Sequence, residues 1–417
     1  MKVTGLIAEF NPFHNGHEYI LKKGISETDA DYCIVVLSGD FTQRGTPAVC
    51  DKHLRAFMAL KSGADVVIEL PARASTASAE YYASSGIFLL DSLSVVTDIV
   101  FGTEYSSLDD LSSIADMLLT EPGEFKQNLK DELKKGLSYP TARSNALLEA
   151  LPDIHELQRI MSFPNDILAV EYLKAIKRLG SKIVPHPVMR LGAGYHDNRI
   201  GTVNSSALAI RSAIKDTGGI DSVKDEIPEH VFSILKEYFG RTLPVFTEDF
   251  SEILRYSLLS AAYKKDALTG FADVSKSLAS RIEKKVNRYK DFESFIRLLK
   301  TKDMTWSRIS RALLHILLHI KNPEEALNED NSYIRILGFR ESATYLIKEI
   351  NKNCRIPVIS RLSDGPDLLG PKALETFNND LFASDIYNGV IEKKFGTPIP
   401  KDMARKLVKK DGIFISL

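Results

Sequence analysis

The sequence has few cysteines, no long apolar run and almost no net charge. Its cysteines are Cys33, Cys50 and Cys354, an odd number without a CxxC pair. Disulfide scaffolds and cysteine zinc sites need paired or closely spaced cysteines, so we exclude both and expect a reducing compartment. No apolar run approaches the ~20 residues that span a membrane, and the N-terminus lacks a charged-then-apolar leader. We therefore expect a cytoplasmic protein that does not enter a membrane.

Size and composition are those of an ordinary globular protein with more than one domain. The chain has 417 residues, of which 44% are hydrophobic and 26% charged. This length suggests two or three domains. The formal net charge of −1 identifies no partner, so a nucleic-acid surface would have to come from local clustering of basic residues.

The most informative stretch is VTGLIAEFNPFHNGHEYIL, near the N-terminus. Val3–Phe10 has the length and apolar character of a buried strand, and Asn11-Pro12 ends it in a turn. His14-Asn15-Gly16-His17 follows and leads into a helix. A strand, a glycine-containing turn and a helix start aim backbone N–H groups at an anion. Gly16 lets a phosphate or a base approach the backbone closely.

The spacing of His14 and His17 adds two donors that can carry positive charge at this turn. An isolated HxxH often pairs one surface histidine with one core histidine, but its place after a buried strand favours a nucleotide site. The turn resembles the H-x-G-H signature of the HIGH-type nucleotidyltransferases and class I aminoacyl-tRNA synthetases, whose histidines contact ATP phosphates.

Strand-like and helix-like segments alternate through the first half of the chain. After the first strand, the apolar runs are Tyr32–Ser38, Asp65–Leu70, Val95–Phe101 and Ile183–Met189. Continuous apolar runs are typical of parallel strands covered on both faces. The pattern predicts the α/β class with a doubly wound parallel sheet, and the resemblance of the turn to the HIGH-type nucleotidyltransferases implies their nucleotidyltransferase-like (HUP) Rossmann type. Its ligand should lie beyond the carboxyl ends of the strands.

A second motif and several longer segments carry a closer resemblance. Ser205-Ser206-Ala207-Leu208-Ala209-Ile210-Arg211 is similar to the ISSTxIR motif that closes the nucleotidyltransferase site, although Ala207 and Leu208 replace its threonine. The segments GLIAEFNPFHNGH, SGDFTQRGTPAV, ADVVIELP, FGTE and SFPNDILAVEYLKA, with the turn from Arg190 to Tyr195, resemble the bacterial tRNA(Met) cytidine acetate ligase family. Several motifs in order are hard to obtain by chance.

The resemblance implies an ATP site and a two-step reaction. Acetate would be activated as acetyl-AMP with release of pyrophosphate, and the acetyl group would pass to N4 of the wobble cytidine in elongator tRNA(Met). His14, His17 and Arg211 are the expected catalytic residues, and Mg2+ is expected to accompany ATP. The expected ATP-binding residues are Ile7, Ala8, Glu9, Phe10, Asn11, Pro12, Phe13, His14, Asn15, Gly16, His17, Glu18, Tyr19, Ile20, Gly102, Asn165 and Arg190.

Individual residues in this set have structural alternatives. Arg190 would neutralise phosphate charge, or else form a surface ion pair. Asn165 would bind the ribose or base, or else serve a helix start, and Gly102 would make room for adenine. In the loop from Gly39 to Gly45, Gln43 and Arg44 are candidates for holding acetate or cytosine, against a solvated loop. Asp40 is assigned to the substrate side and, with Glu69, to outer-sphere contact with Mg2+.

The C-terminal half differs in pattern and in charge. Strand signals disappear after Asp221, which predicts a catalytic domain at 1–220 and a mainly helical tRNA-binding domain at 221–417. The apolar segments Tyr333–Phe339 and Gly412–Leu417 are expected to pack this helical domain. Lys276–Lys321 holds twelve basic and four acidic residues, a footprint typical of a polyanion partner. Its candidate RNA contacts are Lys302, Trp306, Arg308 and Arg311; the alternative is a solvated face with the tryptophan in the core.

The sequence therefore indicates an enzyme, an ATP-dependent tRNA cytidine acetate ligase. The first alternative is a small-molecule adenylyltransferase or pantothenate-synthetase-like ligase that uses no RNA. The second is a non-catalytic RNA-binding protein on a degenerate nucleotidyltransferase fold. The residues alone, without the family, indicate adenylyl transfer but neither acetate nor tRNA.

Overall fold

The computed structural model describes residues 1–105, 107–190, 206–263, 268–321 and 326–415. The predicted turn Gly192–Tyr195 and the residues Asn204 and Ser205 lie outside these ranges. Strands are found at β1 (Val3–Ala8), β2 (Tyr32–Ser38), β3 (Val66–Leu70), β4 (Asp98–Thr103), β5 (Val184–Met189), β6 (Ile334–Arg340), β7 (Val358–Ile359), β8 (Val408–Lys410) and β9 (Ile413–Ile415).

One sheet organises the molecule. Its order is β5-β4-β1-β2-β3-β6-β9-β8, with β7 paired to β6. The pairs among β1 to β5 are parallel, in the order of a doubly wound dinucleotide-binding sheet. The predicted α/β class is confirmed. Beyond β3 the sheet becomes mixed: β6 is antiparallel to β3 and to β9, and β9 to β8, whereas the short strand β7 pairs with β6 in parallel.

Helices cover the sheet and form most of the rest of the described chain. None of the described helices is long and apolar enough to cross a membrane. The helices are α1 (Asn15–Thr28), α2 (Lys52–Lys61), α3 (Ala72–Ser75), α4 (Ala79–Ser92), α5 (Leu108–Thr120), α6 (Gly123–Lys134), α7 (Tyr139–Ala150), α8 (Leu157–Ile160), α9 (Pro164–Leu179), α10 (Ala207–Thr217), α11 (Glu229–Tyr238), α12 (Ser251–Tyr263), α13 (Lys276–Lys285), α14 (Phe292–Leu299), α15 (Trp306–Leu317), α16 (Thr344–Asn353), α17 (Gly365–Leu368) and α18 (Pro371–Phe395).

Strand β2 shows why continuous apolar runs are needed. Ile34 and Val36 pack into the hydrophobic core on one face of the sheet, whereas Val35 and Leu37 pack into the core on the other. Successive strand residues point to opposite faces, so a strand covered on both sides must be apolar at every position. The strand is therefore fixed in the centre of the sheet, and its carboxyl end faces the loops that follow.

Two apolar segments of the C-terminal half join the central sheet. Ile334–Arg340 is strand β6 and pairs with β3, and Ile413–Ile415 is β9 and pairs with β6. The expectation that these segments pack the helical half is wrong. Both carry the β-branched residues of strands, but a single short apolar run cannot reveal which distant strand it joins. The division at residue 220 remains a prediction.

Candidate active site

The first crossover turn places two histidines at the carboxyl end of β1. Phe10 adopts a left-handed φ of 47°, so the chain turns sharply on leaving the strand. His14 is the N-cap of α1, and its Nδ1 atom accepts a 3.1 Å hydrogen bond from the N–H of Gly16. His17 reciprocates, because its Nδ1 atom accepts a 3.3 Å bond from the N–H of His14. The two rings thus form a capping box.

This arrangement fixes the protonation of both rings. With Nδ1 accepting a backbone N–H in each ring, the proton of neutral His14 and His17 must sit on Nε2. Burial, aided by Arg190 and Arg211, lowers the pKa of His14 to about 3, and burial lowers that of His17 well below 6.5. The rings stack with centroids 3.6 Å apart. The expectation of charged histidines is therefore corrected to neutral Nε2–H donors.

Both histidines line a cleft of about 1160 Å³, including its part open to solvent. Small-molecule sites typically range over about 300–1,000 Å³, so the cleft accommodates a ligand of nucleotide size. Its walls come from the ends of β1 and β4, from α1, α4, α9 and α10, and from the loop after β2. The lining residues are Leu6, Ile7, Ala8, Glu9, Phe10, His14, His17, Ile20, Gln43, Arg44, Tyr82, Phe101, Gly102, Pro164, Asn165, Leu168, Tyr172, Arg190, Ser206, Ala207, Leu208 and Arg211.

Most residues predicted from the sequence meet in this cleft. Others in the predicted ATP set hold the surrounding chain instead: Asn15 Nδ2 donates to Asp225 O at 2.9 Å, and Glu18 pairs with Lys22 at 2.9 Å. Phe13 is fully buried in the core. The predicted residues that are not among the cleft lining are Asn11, Pro12, Phe13, Asn15, Gly16, Glu18 and Tyr19.

Arginines give the cleft its positive charge. Arg211 is half-buried, and its partial removal from water lowers its pKa to about 10, so it remains charged at neutral pH. Its Nη1 donates a 2.6 Å bond to the carbonyl oxygen of Asn11. Burial also lowers the pKa of Arg190, whose Nε lies 3.6 Å from Glu104 Oε1. Two partly desolvated cations beside two neutral N–H donors form a site suited to phosphate oxygens.

The β4 side of the cleft is shaped by Gly102 and Asn165. A Cβ atom on Gly102 would lie 3.2 Å from Arg190 Cγ and 3.3 Å from Ile20 Cδ1. The glycine therefore makes room for side chains of the cleft wall. Asn165 opens α9 and donates a 2.6 Å bond from Nδ2 to Glu104 Oε1, which orients its amide oxygen away from that carboxylate.

The loop after β2 brings Gln43 and Arg44 to the opposite side. The N–H of Gln43 donates a 2.8 Å bond to Glu9 Oε1, so the loop is tied to the end of β1. Beneath it, the fully buried Arg55 donates from Nη1 to the carbonyl oxygens of Glu9 at 2.7 Å and Ser38 at 3.0 Å. Sequence reasoning missed Arg55, because an arginine in an amphipathic helix carries no signal that distinguishes it from a surface residue.

The cleft also contains two tyrosines that the sequence did not single out. Tyr82 of α4 and Tyr172 of α9 are both buried and line its floor. Burial raises the pKa of each phenol, so both hydroxyls stay protonated at neutral pH. Each lies in a helix with an ordinary apolar stripe, and a core position is the default interpretation of such a tyrosine.

The assignment of Asp40 and Glu69 to substrate and Mg2+ is corrected by the structure. Both are buried, and neither lines the cleft. Asp40 accepts a 2.8 Å bond from the N–H of Lys52 and a 3.0 Å bond from the Ser384 hydroxyl. The ammonium of Lys52 lies 2.8 Å from Glu69 and 2.8 Å from Asp402. The Arg335 guanidinium lies 2.7 Å from Glu69 and 3.0 Å from Asp402. We call Asp40, Lys52, Glu69, Arg335 and Asp402 the internal ion cluster, in which two cations face three carboxylates inside the protein.

No protein metal site is present in the described ranges. They contain no group of three or more His, Cys, Asp or Glu residues that could hold a metal ion. The two histidine Nδ1 atoms are already acceptors of backbone N–H groups. The chain therefore offers no described set of side-chain ligands for the expected Mg2+.

The candidate RNA residues divide into exposed and internal ones. Lys302 and Arg308 are exposed, and Trp306 is 36% exposed with the Arg297 guanidinium 6.0 Å from its ring centroid. Trp306 is therefore not a core residue. Arg311 is different, because its side chain is largely buried and its Nε lies 2.8 Å from Asp273 Oδ2. Its assignment as an RNA contact is corrected to an internal ion pair.

Comparison with known proteins matches this geometry. The model of the HIGH nucleotidyl transferase family matches residues 1–398. The tRNA(Met) cytidine acetate ligase of Caldanaerobacter subterraneus subsp. tengcongensis is 40% identical over 388 residues, 93% of this chain and 95% of the relative. That of Clostridium novyi is 38% identical over 364 residues, 87% and 90% of the two chains. The chain belongs to the tRNA(Met) cytidine acetate ligases of the HIGH nucleotidyl transferase family.

Solved structures of this ligase family agree over nearly the whole chain. The apo form I of Thermotoga maritima TmcAL has a TM-score of 0.90 at 32% identity and covers 97% of this chain and 98% of that one. Form II of the same Thermotoga protein, bound with alpha-thio ATP, has a TM-score of 0.87 at the same identity and coverage. The likeness to these ligases extends through the helical C-terminal region, and the predicted family is confirmed.

Proposed function

We propose that this chain is an ATP-dependent ligase that activates acetate as acetyl-AMP and transfers the acetyl group to N4 of the wobble cytidine in elongator tRNA(Met). One observation carries the proposal. Two neutral histidines with Nε2–H donors and two half-buried arginines, Arg190 and Arg211, line one cleft at the carboxyl end of the parallel strands. Relatives of this chain are named tRNA(Met) cytidine acetate ligase, and the similar Thermotoga maritima TmcAL has been solved bound with alpha-thio ATP.

The first step needs stabilisation of charge on phosphate. An acetate oxygen attacks the α-phosphorus of ATP, the bond to the β-phosphate oxygen breaks, and pyrophosphate leaves. Negative charge builds on the oxygens around the α-phosphorus in the transition state. His14, His17 and Arg211 supply donors that are already in place, so they need not reorganise as the charge develops. No proton has to move in this step.

The second step uses the activated carboxyl group directly. The N4 amine of cytidine attacks the acetyl carbonyl carbon, AMP leaves with the electron pair of its bond to that carbon, and the amine loses a proton to solvent. No covalent nucleophile of the protein is required. The described cysteines do not line the cleft, and burial raises the pKa of the Cys33 and Cys50 thiols, which disfavours thiolate chemistry.

The substrates determine where Mg2+ would bind and how the cleft would be occupied. Mg2+ would be bound by the phosphate oxygens of ATP rather than by side chains of this chain. The described cysteines are free, which suits the reducing cytoplasm, where ATP and tRNA are found. The acetate would sit on the Gln43 and Arg44 side of the cleft, and the adenosine on the Gly102 and Asn165 side.

The test is to incubate the protein with ATP, labelled acetate and either tRNA(Met) or other tRNAs. We expect acetate-dependent pyrophosphate release and label in the RNA only with tRNA(Met). Pyrophosphate release with a free small-molecule product and no labelled RNA would instead identify a small-molecule ligase. RNA binding without pyrophosphate release would identify a non-catalytic RNA-binding protein.

A further inference from the structure

A second cavity borders α4, the helix that also lines the ATP cleft. It measures about 800 Å³, including its open part, and its lining includes Tyr81, Ser85, Asp273 and His315. Tyr82, the next residue after Tyr81, lines the ATP cleft. Consecutive residues on neighbouring faces of one helix therefore line the two cavities.

The lining of this cavity is suited to a planar polar ligand. Ser85 is 3% exposed and borders the cavity. Its hydroxyl can both donate a hydrogen bond to a ligand and accept one from it. Tyr81 is 43% exposed and offers an aromatic face, while Asp273 supplies a carboxylate and Ala77 and Ala272 an apolar floor.

Helix α15 connects the cavity to the basic surface. Arg308, Arg311 and His315 have i, i+3, i+7 spacing and therefore lie along one face of this helix. Arg308 is exposed, and His315 forms part of the cavity wall. Seven residues of helix cover about 10 Å. A polyanion bound at Arg308 would thus extend towards the cavity.

The cavity wall is held rigidly. His315 Nε2 lies 3.1 Å from the hydroxyl of Thr76, and its Nδ1 lies 3.0 Å from the carbonyl oxygen of Ala272. The Nε of Arg311 donates a 2.8 Å hydrogen bond to Asp273 Oδ2. A cavity of fixed shape that presents an exposed tyrosine and a hydroxyl binds a flat base without first having to order its own side chains.

We propose that this cavity binds an unpaired nucleotide of the RNA substrate that flanks the acetylated cytidine. The proposal rests on the proposed function, which brings an RNA loop to the ATP cleft one helix away. Specific RNA recognition commonly stacks splayed bases on aromatic side chains and hydrogen-bonds their edges. Tyr81 would stack the base, and Ser85 and Asp273 would bond its polar edge.

The experiment measures RNA affinity and acetate activation separately. The variants are Tyr81→Ala, which removes the stacking face, and Ala77→Phe, which fills the cavity. Tyr345→Ala on α16 is the matched control, because Tyr345 is 57% exposed and borders neither cavity. The probe is an anticodon-hairpin RNA of tRNA(Met), titrated without ATP or acetate, and the second readout is acetate-dependent exchange of pyrophosphate into ATP.

We expect Tyr81→Ala and Ala77→Phe to weaken hairpin binding about five- to a hundredfold, as base stacking on an aromatic side chain predicts, with exchange within twofold of wild type. Hairpin affinity unchanged in both variants would overturn the proposal. A loss of pyrophosphate exchange that parallels the loss of hairpin affinity would also overturn the proposal. The substitutions would then act by disturbing the fold of the ATP cleft. Absence of acetate-dependent exchange in the wild type would overturn the proposed function, while hairpin affinity would still test the cavity.

Discussion

The hydroxyl of Ser310 in α15 donates a 2.8 Å hydrogen bond to the carbonyl oxygen of Gly45. Gly45 closes the loop that carries Gln43 and Arg44 into the ATP cleft, so the helix that exposes Arg308 touches the loop of the active site. A Cβ atom on Gly45 would lie only 2.3 Å from the backbone nitrogen of Arg311. The basic helix and the cleft loop are therefore positioned against each other.

Gly45→Ala is expected to lower acetate activation. Gly45 has a φ of +73° and faces backbone that cannot move aside like a side chain, so the loop itself has to shift and displace Arg44. We expect at least a tenfold loss of acetate-dependent pyrophosphate exchange, measured at saturating ATP. The free energy of unfolding, from urea titration, should also fall by more than the ~1–2 kcal/mol that left-handed backbone costs an alanine.

The control for this substitution is Gly240→Ala. Gly240 has nearly the same φ, +74°, but nothing lies within 4 Å of a Cβ atom placed there. Gly240→Ala therefore measures the loss of stability caused by the left-handed backbone alone, without a steric clash. Acetate-dependent pyrophosphate exchange should stay at the wild-type level. Equal activity of the two variants would show that the contact with α15 does not position the loop.

His14→Asn is expected to separate the helix cap from the chemistry. The amide oxygen of asparagine occupies roughly the place of Nδ1 and can accept the Gly16 N–H, but asparagine offers no donor at the place of Nε2. Stability should therefore stay within about 1 kcal/mol of wild type, whereas pyrophosphate exchange should fall about 10²–10³-fold, as loss of one transition-state donor predicts.

His14→Ala is the comparison variant, because it removes both the Nδ1 acceptor that caps α1 and the Nε2–H donor. It should lose both activity and about 0.5–2 kcal/mol of stability. An asparagine variant that keeps full exchange would exclude the Nε2–H of His14 from the mechanism.

The buried histidines predict a loss of stability in acid. Burial, with Arg190 and Arg211, lowers the pKa of His14 from 6.5 to about 3 in the folded protein. Above about pH 6.5 the ring is neutral in both states and contributes no pH dependence. Below that pH the unfolded chain binds a proton that the folded chain does not, so stability should fall towards pH 3 by up to about 1.4 kcal/mol per unit.

The measurement is the free energy of unfolding from urea titrations at several pH values between 7.5 and 4.5. His14→Asn removes this titration, so its stability should fall less steeply than that of the wild type. His155→Asn is the control, since His155 is exposed. Parallel curves for wild type and His14→Asn would mean that the folded ring takes up protons as freely as the unfolded one.

Lys302→Glu combined with Arg308→Glu should weaken tRNA binding and leave acetate activation intact. Both side chains are exposed, and each phosphate contact that is lost should reduce the salt dependence of log Kd by about 0.7–0.9. Affinity would be measured at several salt concentrations. Lys348→Glu with Lys352→Glu makes the same charge change on exposed positions of α16 and should leave affinity nearly unchanged. Equal losses in the two double variants would indicate net charge rather than a local RNA surface.

The sequence was most informative where local chemistry is decisive. The apolar run Tyr32–Ser38 predicted a strand covered on both faces, and the structure confirms it. The turn of His14 and His17 was placed correctly at the end of β1 for the same reason, since strand, proline turn and helix follow one another directly.

The errors concern residues whose environment comes from distant parts of the chain. Asp40 resembles a site residue after a strand end, but Ser384 of α18 encloses it. Arg311 belongs to a basic stretch, but Asp273 neutralises it. The charge of His14 depends on burial that the sequence does not reveal. Features that depend on neighbouring residues could therefore be predicted from the sequence. Features that depend on contacts between distant segments could not.

The internal ion cluster has a consequence for how the protein is made. Lys52 lies in α2, but the carboxylate of Asp402, 2.8 Å from its ammonium, is synthesised much later. Strand β3 likewise acquires its neighbour β6 only after the helices between them have been synthesised. The cluster can therefore be completed only after Asp402 has left the ribosome, and until then Lys52 has only Asp40 and Glu69 as carboxylate partners.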